Sequence, residues 1–274
     1  MSRIVSVVVG GFALCALSVV PVVGAGPVSA AGTGAIHPGV QLFTNGAQCT
    51  ANFIYSNGSA TFIGQAAHCS STAGNTATDG CSTPSLPLGT PVTISGASRP
   101  GVLAYNSWIT MQAAHEPDPN VCAFNDLALV RIDPADVPNV DPSVPHWGGP
   151  TGLNTSGLNP LQNVYGYGNS ELRLGLTLLS PKLGLGQGDN GNGWSHITTM
   201  LITPGIPGDS GSPLLDPSGA ATGILSTVGV GIPGGVVNNY GDVSRELTYA
   251  ANHQFGVSLV AGTAPFNPNQ LPLG

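Results

Sequence analysis

The stretch that decides the fold lies at residues 208–213 and reads GDSGSP. Two other stretches supply the remaining candidate site residues: AAHC at residues 66–69 and NDLAL at residues 125–129. Together they supply a hydroxyl at Ser210, an imidazole at His68 and a carboxylate at Asp126. A serine hydroxyl is a poor nucleophile until an imidazole removes its proton, and a buried carboxylate fixes the imidazole tautomer. The pattern therefore predicts a nucleophile, a base and an orienting acid in the chain order His, Asp, Ser.

This order, with these flanking residues, resembles the chymotrypsin-like (trypsin-fold) serine proteases of the bacterial secreted type. It differs from the order in the α/β-hydrolases and in the subtilisins. The resemblance covers roughly Val40 to Asn252. It implies an all-β fold of two six-stranded antiparallel β-barrels packed together with a C-terminal helix. It also implies a serine endopeptidase that cleaves polypeptides through an acyl-enzyme intermediate and needs no cofactor.

The resemblance extends to the groups around the nucleophile. The backbone N–H groups of Gly208 and Ser210 are expected to form the oxyanion hole. Asp209 is expected to be buried and to need a positive partner. Where many relatives use a new N-terminus, this chain has Ile36, and Ala35 rather than a basic residue precedes it. An internal arginine is the other possibility, and four are available after the signal segment: Arg99, Arg131, Arg173 and Arg245.

The resemblance also places a primary specificity pocket. Its base corresponds to Pro204, six residues before the nucleophile, and its wall to Ser226, Thr227 and Val228. No carboxylate stands at the base to pair with a substrate Arg or Lys. Leu225 stands where glutamate-specific relatives carry a histidine. The pocket is therefore expected to accept a small or apolar side chain at the P1 position, the residue before the cleaved bond.

The first 31 residues are typical of a secretory signal. A positive start is followed by an apolar run from Ile4 to about Ala25 and then by small residues. This pattern predicts cleavage near Ala30 or Ala31 and a secreted, extracellular protein. An uncleaved membrane anchor is the alternative, because the run is almost long enough to span a bilayer. Gly10, Gly11 and Pro21 within the run favour removal.

Four cysteines remain after the signal, at Cys49, Cys69, Cys81 and Cys122. An even number in an exported chain indicates two disulfides. A zinc site is the competing interpretation, but no C-x-x-C pair occurs and no metal is expected. The resemblance favours the pair Cys49–Cys69 beside His68, which leaves Cys81–Cys122.

Composition limits the partners. The formal net charge is −7 and only 7% of the 274 residues are charged. Because no basic stretch exists, binding to nucleic acid or to an acidic membrane surface is not expected. After removal of the signal, no stable membrane insertion is expected, and the mature chain is expected to be a monomer. Two other functions share these features: a non-catalytic binding module on a protease fold, and an esterase or self-processing hydrolase with the same triad.

Turn residues divide the chain. We expect an N-terminal barrel at residues 32–149 with His68 and Asp126, and a C-terminal barrel at residues 150–243 with Ser210. Residues 244–254 are predicted to form the C-terminal helix, capped by Ser244. The tail covers residues 255–274, and Gly262–Gly274 is expected to be poorly ordered. Trp108–Gln112 and Leu172–Leu179 are among the predicted strands.

Overall fold

The computed structural model describes residues 34–73, 77–230 and 236–272. The predicted signal segment lies outside the described residues. The first half of the described chain forms seven strands: β1 (Gln41–Thr44), β2 (Ala47–Thr50), β3 (Ile54–Ser56), β4 (Thr61–Ala66), β5 (Pro91–Ile94), β6 (Gly101–Asn106) and β7 (Leu127–Arg131). The second half forms seven more: β8 (Asn163–Tyr167), β9 (Pro181–Asn190), β10 (Ser195–Ile202), β11 (Pro213–Leu215), β12 (Ala221–Val230), β13 (Val236–Asp242) and β14 (Ser258–Leu259).

The strands form two antiparallel sheets. The first has the order β14-β3-β4-β7-β6-β5-β1-β2, and the second closes into a six-stranded barrel in the order β10-β13-β12-β11-β8-β9. The all-β class with a C-terminal helix is thus confirmed. The first sheet has eight strands rather than the expected six: seven come from the first half of the chain, and the eighth, β14, comes from the C-terminal tail and pairs with β3.

Two predicted strands are wrong. Trp108–Gln112 belongs to helix α1 (Ser107–Ala114), which begins because the Asn106 side chain accepts hydrogen bonds from the first free N–H groups of the helix. Leu172–Leu179 contains two short 3₁₀ turns, and the first begins where Ser170 Oγ accepts the N–H of Leu172. In both places a polar side chain before the apolar run satisfies the backbone and favours a turn over a strand.

Two further helices follow, α2 (Pro119–Phe124) and α3 (Val243–Asn252). Helix α3 begins one residue earlier than predicted. Its cap is Asp242 rather than Ser244, because the Asp242 carboxylate accepts the N–H of Arg245 at 2.8 Å. No helix in the described ranges is long and apolar enough to cross a membrane.

A shared apolar core joins the two sheets. It combines Tyr55 and Leu127 of the first sheet with Leu215 and Ile224 of the barrel and Leu247 of α3. The candidate site lies where these elements meet. The prediction of a poorly ordered Gly262–Gly274 is wrong around Phe266, whose side chain packs against this core. The Phe255 ring stacks on Tyr105 at 5.0 Å, and Phe266 packs edge-on against Tyr165 at 5.2 Å.

Both expected disulfides are formed. Cys49 pairs with Cys69 at a Cα–Cα distance of 6.2 Å, and Cys81 pairs with Cys122 at 5.1 Å. The first bond is buried and joins β2 to the turn that carries His68. It therefore fixes the position of the imidazole relative to the first sheet.

Candidate active site

Strand pairing brings His68 and Asp126 together. Strands β4 and β7 are neighbours, and Ala66 at the end of β4 faces Leu127 at the start of β7. His68 lies in the short turn just after β4, and Asp126 immediately precedes β7. His68 Nδ1 lies 2.7 Å from Asp126 Oδ2, and the backbone N–H of His68 donates to Asp126 Oδ1 at 2.9 Å.

The carboxylate of Asp126 accepts a third hydrogen bond from the barrel. Ser226 Oγ donates to Asp126 Oδ2 at 2.7 Å. Ser226 was expected only as a wall of the specificity pocket, and sequence reasoning missed this contact. Because Ser226 belongs to β12 and Asp126 to the first sheet, the bond ties the two units together at the site.

This arrangement determines the chemistry of the imidazole. A carboxylate only accepts hydrogen bonds, so Nδ1 of His68 carries the proton and Nε2 of the neutral ring is the basic atom. Nε2 is buried and has no hydrogen-bond partner among the described residues. Burial alone would lower the pKa of His68, but the charge and hydrogen bond of Asp126 outweigh it and raise the pKa above 6.5.

Ser210 is anchored beside this pair through its backbone. Its carbonyl accepts the N–H of Thr50 at 2.9 Å, and Thr50 follows Cys49 of the buried disulfide. The next residue, Gly211, has a φ of +85°, and a Cβ there would lie 2.7 Å from the N atom of Ala66. Only glycine fits so close to the strand that leads to His68.

The hydroxyl of Ser210 forms no hydrogen bond with the imidazole in this structure, since Nε2 of His68 has no partner in the described part of the chain. The half-buried Ser210 side chain is nevertheless carried by a backbone that contacts the first sheet on the His68 side. Hydrogen bonds between catalytic groups are often long in free enzymes and tighten when substrate binds.

The backbone N–H groups of Gly208 and Ser210 have fixed orientations and donate no hydrogen bond to another described residue. The carbonyl of Pro207 accepts from Ser170 Oγ, and the carbonyl of Asp209 accepts the N–H of Ser212 at 3.0 Å. In a trans peptide the N–H points opposite to the C=O, so these bonds fix the N–H groups of Gly208 and Ser210. Neither N–H donates to another described residue. Gly208 has a φ of +92°, which suits glycine.

Asp209 is fully buried between two cations. Its Oδ2 accepts from Arg173 Nη2 and from Lys182 Nζ, the latter at 2.7 Å. The N–H of Ser170 donates to Oδ1 at 3.1 Å, and the N–H of Ile206 donates to Oδ2 at 3.1 Å. These bonds hold the segment before Ser210 in place.

The two cations replace a free N-terminus as the partner of Asp209. Ile36 is buried elsewhere, where its N–H donates to the carbonyl of Asn139. Burial alone would raise the pKa of Asp209, but Lys182 and Arg173 outweigh it and hold the pKa below its usual value. Lys182 is the chain's single lysine and lies on β9 between Pro181 and Leu183. That position was the sequence signal for a buried cation, and we missed it by weighing arginines alone.

The expected pocket residues are only partly brought together. Ser226 and Thr227 line a cavity of about 220 Å³ with Phe124 and Asn239, among other residues, whereas Pro204 and Val228 are not part of that lining. The carbonyl of Pro204 instead accepts from Arg173 at 3.1 Å and from Lys182 at 3.2 Å.

Two groups of side chains in the described ranges have the composition of a metal site. One is Cys49, His68 and Cys69, and the other is Asp79, Cys81 and Cys122. In both groups the sulfur atoms are joined in disulfides, so no thiolate is available to bind a cation.

Comparison with known proteins gives structural relatives only. No protein-family model and no curated protein sequence matches the chain. The structure is similar to Thermobifida fusca protease A, with a TM-score of 0.54 and 22% identity over 83% of this chain and 99% of that one. It is also similar to a glutamic acid-specific serine protease that uses a histidine triad in substrate binding, with a TM-score of 0.52 and 19% identity over 82% and 100% of the two chains.

A third similar structure is Cellulomonas bogoriensis chymotrypsin, with a TM-score of 0.50 and 18% identity over 82% of this chain and 98% of that one. Each of the three relatives is matched over nearly its whole length. The chain therefore has the fold of the bacterial chymotrypsin-like serine proteases.

Proposed function

We propose that the protein is a serine endopeptidase in which Ser210 is the nucleophile, His68 the general base and Asp126 the orienting acid. The observation that carries this proposal is the His68 ring, which is bonded through Nδ1 to Asp126 and keeps its basic Nε2 unpaired among the described residues. An imidazole held in this way is ready to accept a proton from a neighbouring hydroxyl.

The proposed reaction has two halves. Ser210 Oγ attacks the carbonyl carbon of the peptide bond while Nε2 of His68 takes the hydroxyl proton. The N–H groups of Gly208 and Ser210 bind the oxygen that becomes negative. His68 then gives its proton to the leaving amine as the C–N bond breaks. In the second half, water loses a proton to Nε2 of His68 and its oxygen attacks the carbonyl carbon of the acyl-enzyme. The bond from that carbon to Ser210 Oγ then breaks, His68 returns the proton to Oγ, and the carboxyl product leaves.

Free oriented donors support the assignment of the oxyanion hole. Donors aimed at a developing negative charge contribute about 10²–10³ in rate each. The amides of Gly208 and Ser210 have no acceptor in the described part of the chain, so binding an oxyanion breaks no existing bond. Asp209 is held by Arg173 and Lys182, so these ion pairs keep the backbone at residues 208–210 rigid without a new N-terminus as the partner of Asp209.

For the substrate, we propose a polypeptide with a small or apolar P1 residue, with Pro204, Ser226, Thr227 and Val228 as the proposed pocket residues. Of these, Ser226 and Thr227 line the cavity of about 220 Å³, and Pro204 and Val228 lie outside its lining. Thr227 Oγ1 already accepts from Asn239 Nδ2 at 3.0 Å, which leaves its methyl group for apolar contact. One similar structure is a glutamic acid-specific serine protease that uses a histidine triad in substrate binding. The corresponding wall of this chain begins with Leu225 rather than a histidine, so we do not transfer that specificity.

The proposed mature protein is secreted, begins after Ala30 or Ala31 and acts as a monomer. Its first unit, at residues 32–149, supplies His68 and Asp126. Its second unit, at residues 150–243, supplies Ser210. The C-terminal helix and the tail follow this unit. The two disulfides support an oxidising compartment.

A peptide-library digest with secreted protein tests the proposal. We expect cleavage after small or apolar residues, and Ser210→Ala should reduce turnover by about 10⁶. Ser212→Ala is the matched control, because Ser212 lies two residues away and its buried hydroxyl has no partner among the described residues. Equal hydrolysis by native protein and Ser210→Ala would overturn the assignment. Hydrolysis of esters but not of peptides would favour the esterase alternative.

A further inference from the structure

A buried acid on helix α3 contacts the backbone of Asp126. Glu246 is fully buried, and its Oε1 accepts the N–H of Asp126 at 2.8 Å. Its other oxygen, Oε2, is also buried and has no hydrogen-bond partner among the described residues. Gly241 makes room for this contact, since a Cβ there would lie 2.5 Å from Glu246 Oε1.

The surroundings of Glu246 disfavour a negative charge. No lysine or arginine forms an ion pair with it in the described ranges. Burial raises the pKa of Glu246 well above 4.5, and the nearby carboxylates of Asp126 and Asp242 raise it further. The hydrogen bond from the Asp126 N–H acts in the opposite direction and is outweighed. An uncharged carboxyl group is the form that a site without a counter-ion can hold.

The contact fixes one side of the Asp126 backbone, and the turn of His68 fixes the other. The carbonyl of Asp126 accepts the N–H of Ala67 at 2.7 Å, and Ala67 directly precedes His68. Both peptide groups of Asp126 are thus held, so its side chain is aimed at the imidazole by a rigid backbone. Glu246 is the group in this arrangement that comes from the C-terminal helix.

We propose that Glu246, in its uncharged form, is a positioning residue that anchors the backbone of Asp126 without adding a second negative charge beside His68. The effect on rate rests on the proposed function of His68 as a base. A charged Glu246 would stabilise the imidazolium form of His68 and make the ring less available as a base at neutral pH. A side chain that cannot accept a hydrogen bond would instead leave the N–H of Asp126 buried and unpaired.

The groups that face Glu246 from neighbouring elements are few. They are Asp126 and, beyond it, His68 from the first sheet, Tyr55 of β3, Tyr105 of β6, and Asp242 at the helix cap with its neighbour His196. Both tyrosines have a raised pKa because of their burial, so they remain neutral near pH 7. Between pH 5 and 9 the titration of His68 therefore reports the charge state of Glu246, with His196 followed as a separate signal.

The first test is an NMR titration of the His68 ring in the Ser210→Ala protein, with and without Glu246→Gln. Glutamine keeps the acceptor oxygen and can carry no charge. We expect the pKa of His68 to agree within about 0.2 units in the two proteins, because an uncharged group replaces an uncharged group. A fall of 0.5 units or more in the glutamine variant would show that Glu246 is charged and would overturn the proposal.

The second test compares turnover of Glu246→Gln and Glu246→Met at pH 8. The glutamine variant should keep kcat within about threefold, whereas methionine should lower kcat at least tenfold with KM unchanged, because a small displacement of Asp126 misaligns His68. Leu247→Met, on the same helix, is the control for packing. Native turnover in Glu246→Met would overturn the proposal, and if that variant does not fold, the titration decides alone. If native protein hydrolyses no peptide, the proposed function fails while the titration still tests Glu246.

Discussion

Replacing Lys182 by methionine tests the buried cluster around Asp209. Lys182 has no exposed surface, and its Nζ lies 2.7 Å from Asp209 Oδ2. Burial lowers the pKa of Lys182 from 10.5 to about 8, with Asp209 opposing this shift and Arg173 adding to it. Methionine keeps a similar length and removes the titrating group, while Arg173 still pairs with Asp209.

The sign of the effect follows from proton linkage. Between pH 8 and 10.5 the unfolded chain keeps the proton on Lys182 and the native protein releases it, so the free energy of unfolding rises with pH. Each pKa unit corresponds to about 1.4 kcal/mol. Because part of the titration lies outside the window, we expect Lys182 to add about 2 kcal/mol to the stability between pH 7 and 9.5.

Urea unfolding at pH 7 and 9.5, followed by tryptophan fluorescence, measures this quantity. Both proteins should carry Ser210→Ala to prevent self-digestion. The difference in unfolding free energy, parent minus Lys182→Met, should grow by about 2 kcal/mol over this interval. Arg99→Met, which removes a largely exposed cation, should leave the pH dependence unchanged. Parallel pH profiles of the parent and Lys182→Met, within about 0.5 kcal/mol, would refute the reasoning.

Three further predictions concern the site directly. The pKa of His68 is raised above 6.5, so its neutral, basic form appears only as the pH rises through that higher value. The midpoint of the acid limb of kcat/KM should therefore lie above pH 6.5. A midpoint below 6.5 would contradict the contact with Asp126. Ser226→Ala removes a hydrogen bond to a charged group and should lower kcat/KM roughly tenfold in a steady-state assay, an unchanged value counting against the contact. Gly211→Ala puts a Cβ against the first sheet at a positive φ and should lower the free energy of unfolding in urea by at least about 2 kcal/mol. Gly229→Ala is the control, because a Cβ there meets no other atom. Equal stability of the two variants would refute the close approach at Gly211.

The sequence was sufficient for the parts of the fold that short motifs encode. GDSGSP, AAHC and NDLAL placed Ser210, His68 and Asp126 on elements that meet in the structure. The even number of cysteines predicted two disulfides, and the family resemblance favoured the pair Cys49–Cys69 that the structure contains. In these cases the decisive information lies within a few neighbouring residues.

The rest depended on contacts between distant segments. The single lysine, Lys182, pairs with a carboxylate 27 residues away, and Glu246 contacts Asp126 across 120 residues. Ser226 reaches Asp126 across 100 residues. No local pattern identifies such partners, because tertiary packing alone decides which polar groups share a buried space.

Short helices and the tail were missed for a related reason. The apolar run after Asn106 was read as a strand, although the asparagine at its start caps a helix. Gly262–Gly274, rich in Pro and Asn, is predicted to be poorly ordered, but Phe266 packs this segment onto the shared core, as Phe255 does just before it. Large aromatic side chains such as Phe255 and Phe266 favour packing against a core, and they are the sequence feature that argues against disorder here.

Reaction with a fluorophosphonate, followed by intact-protein mass and peptide mapping, tests the central claim most directly. We predict one adduct per chain, located on Ser210, with labelling slowed by several orders of magnitude in His68→Ala because the hydroxyl then has no base. Ser212→Ala should label like the native protein. Absence of an adduct on Ser210, or equal labelling rates with and without His68, would contradict the claim that these two residues act together.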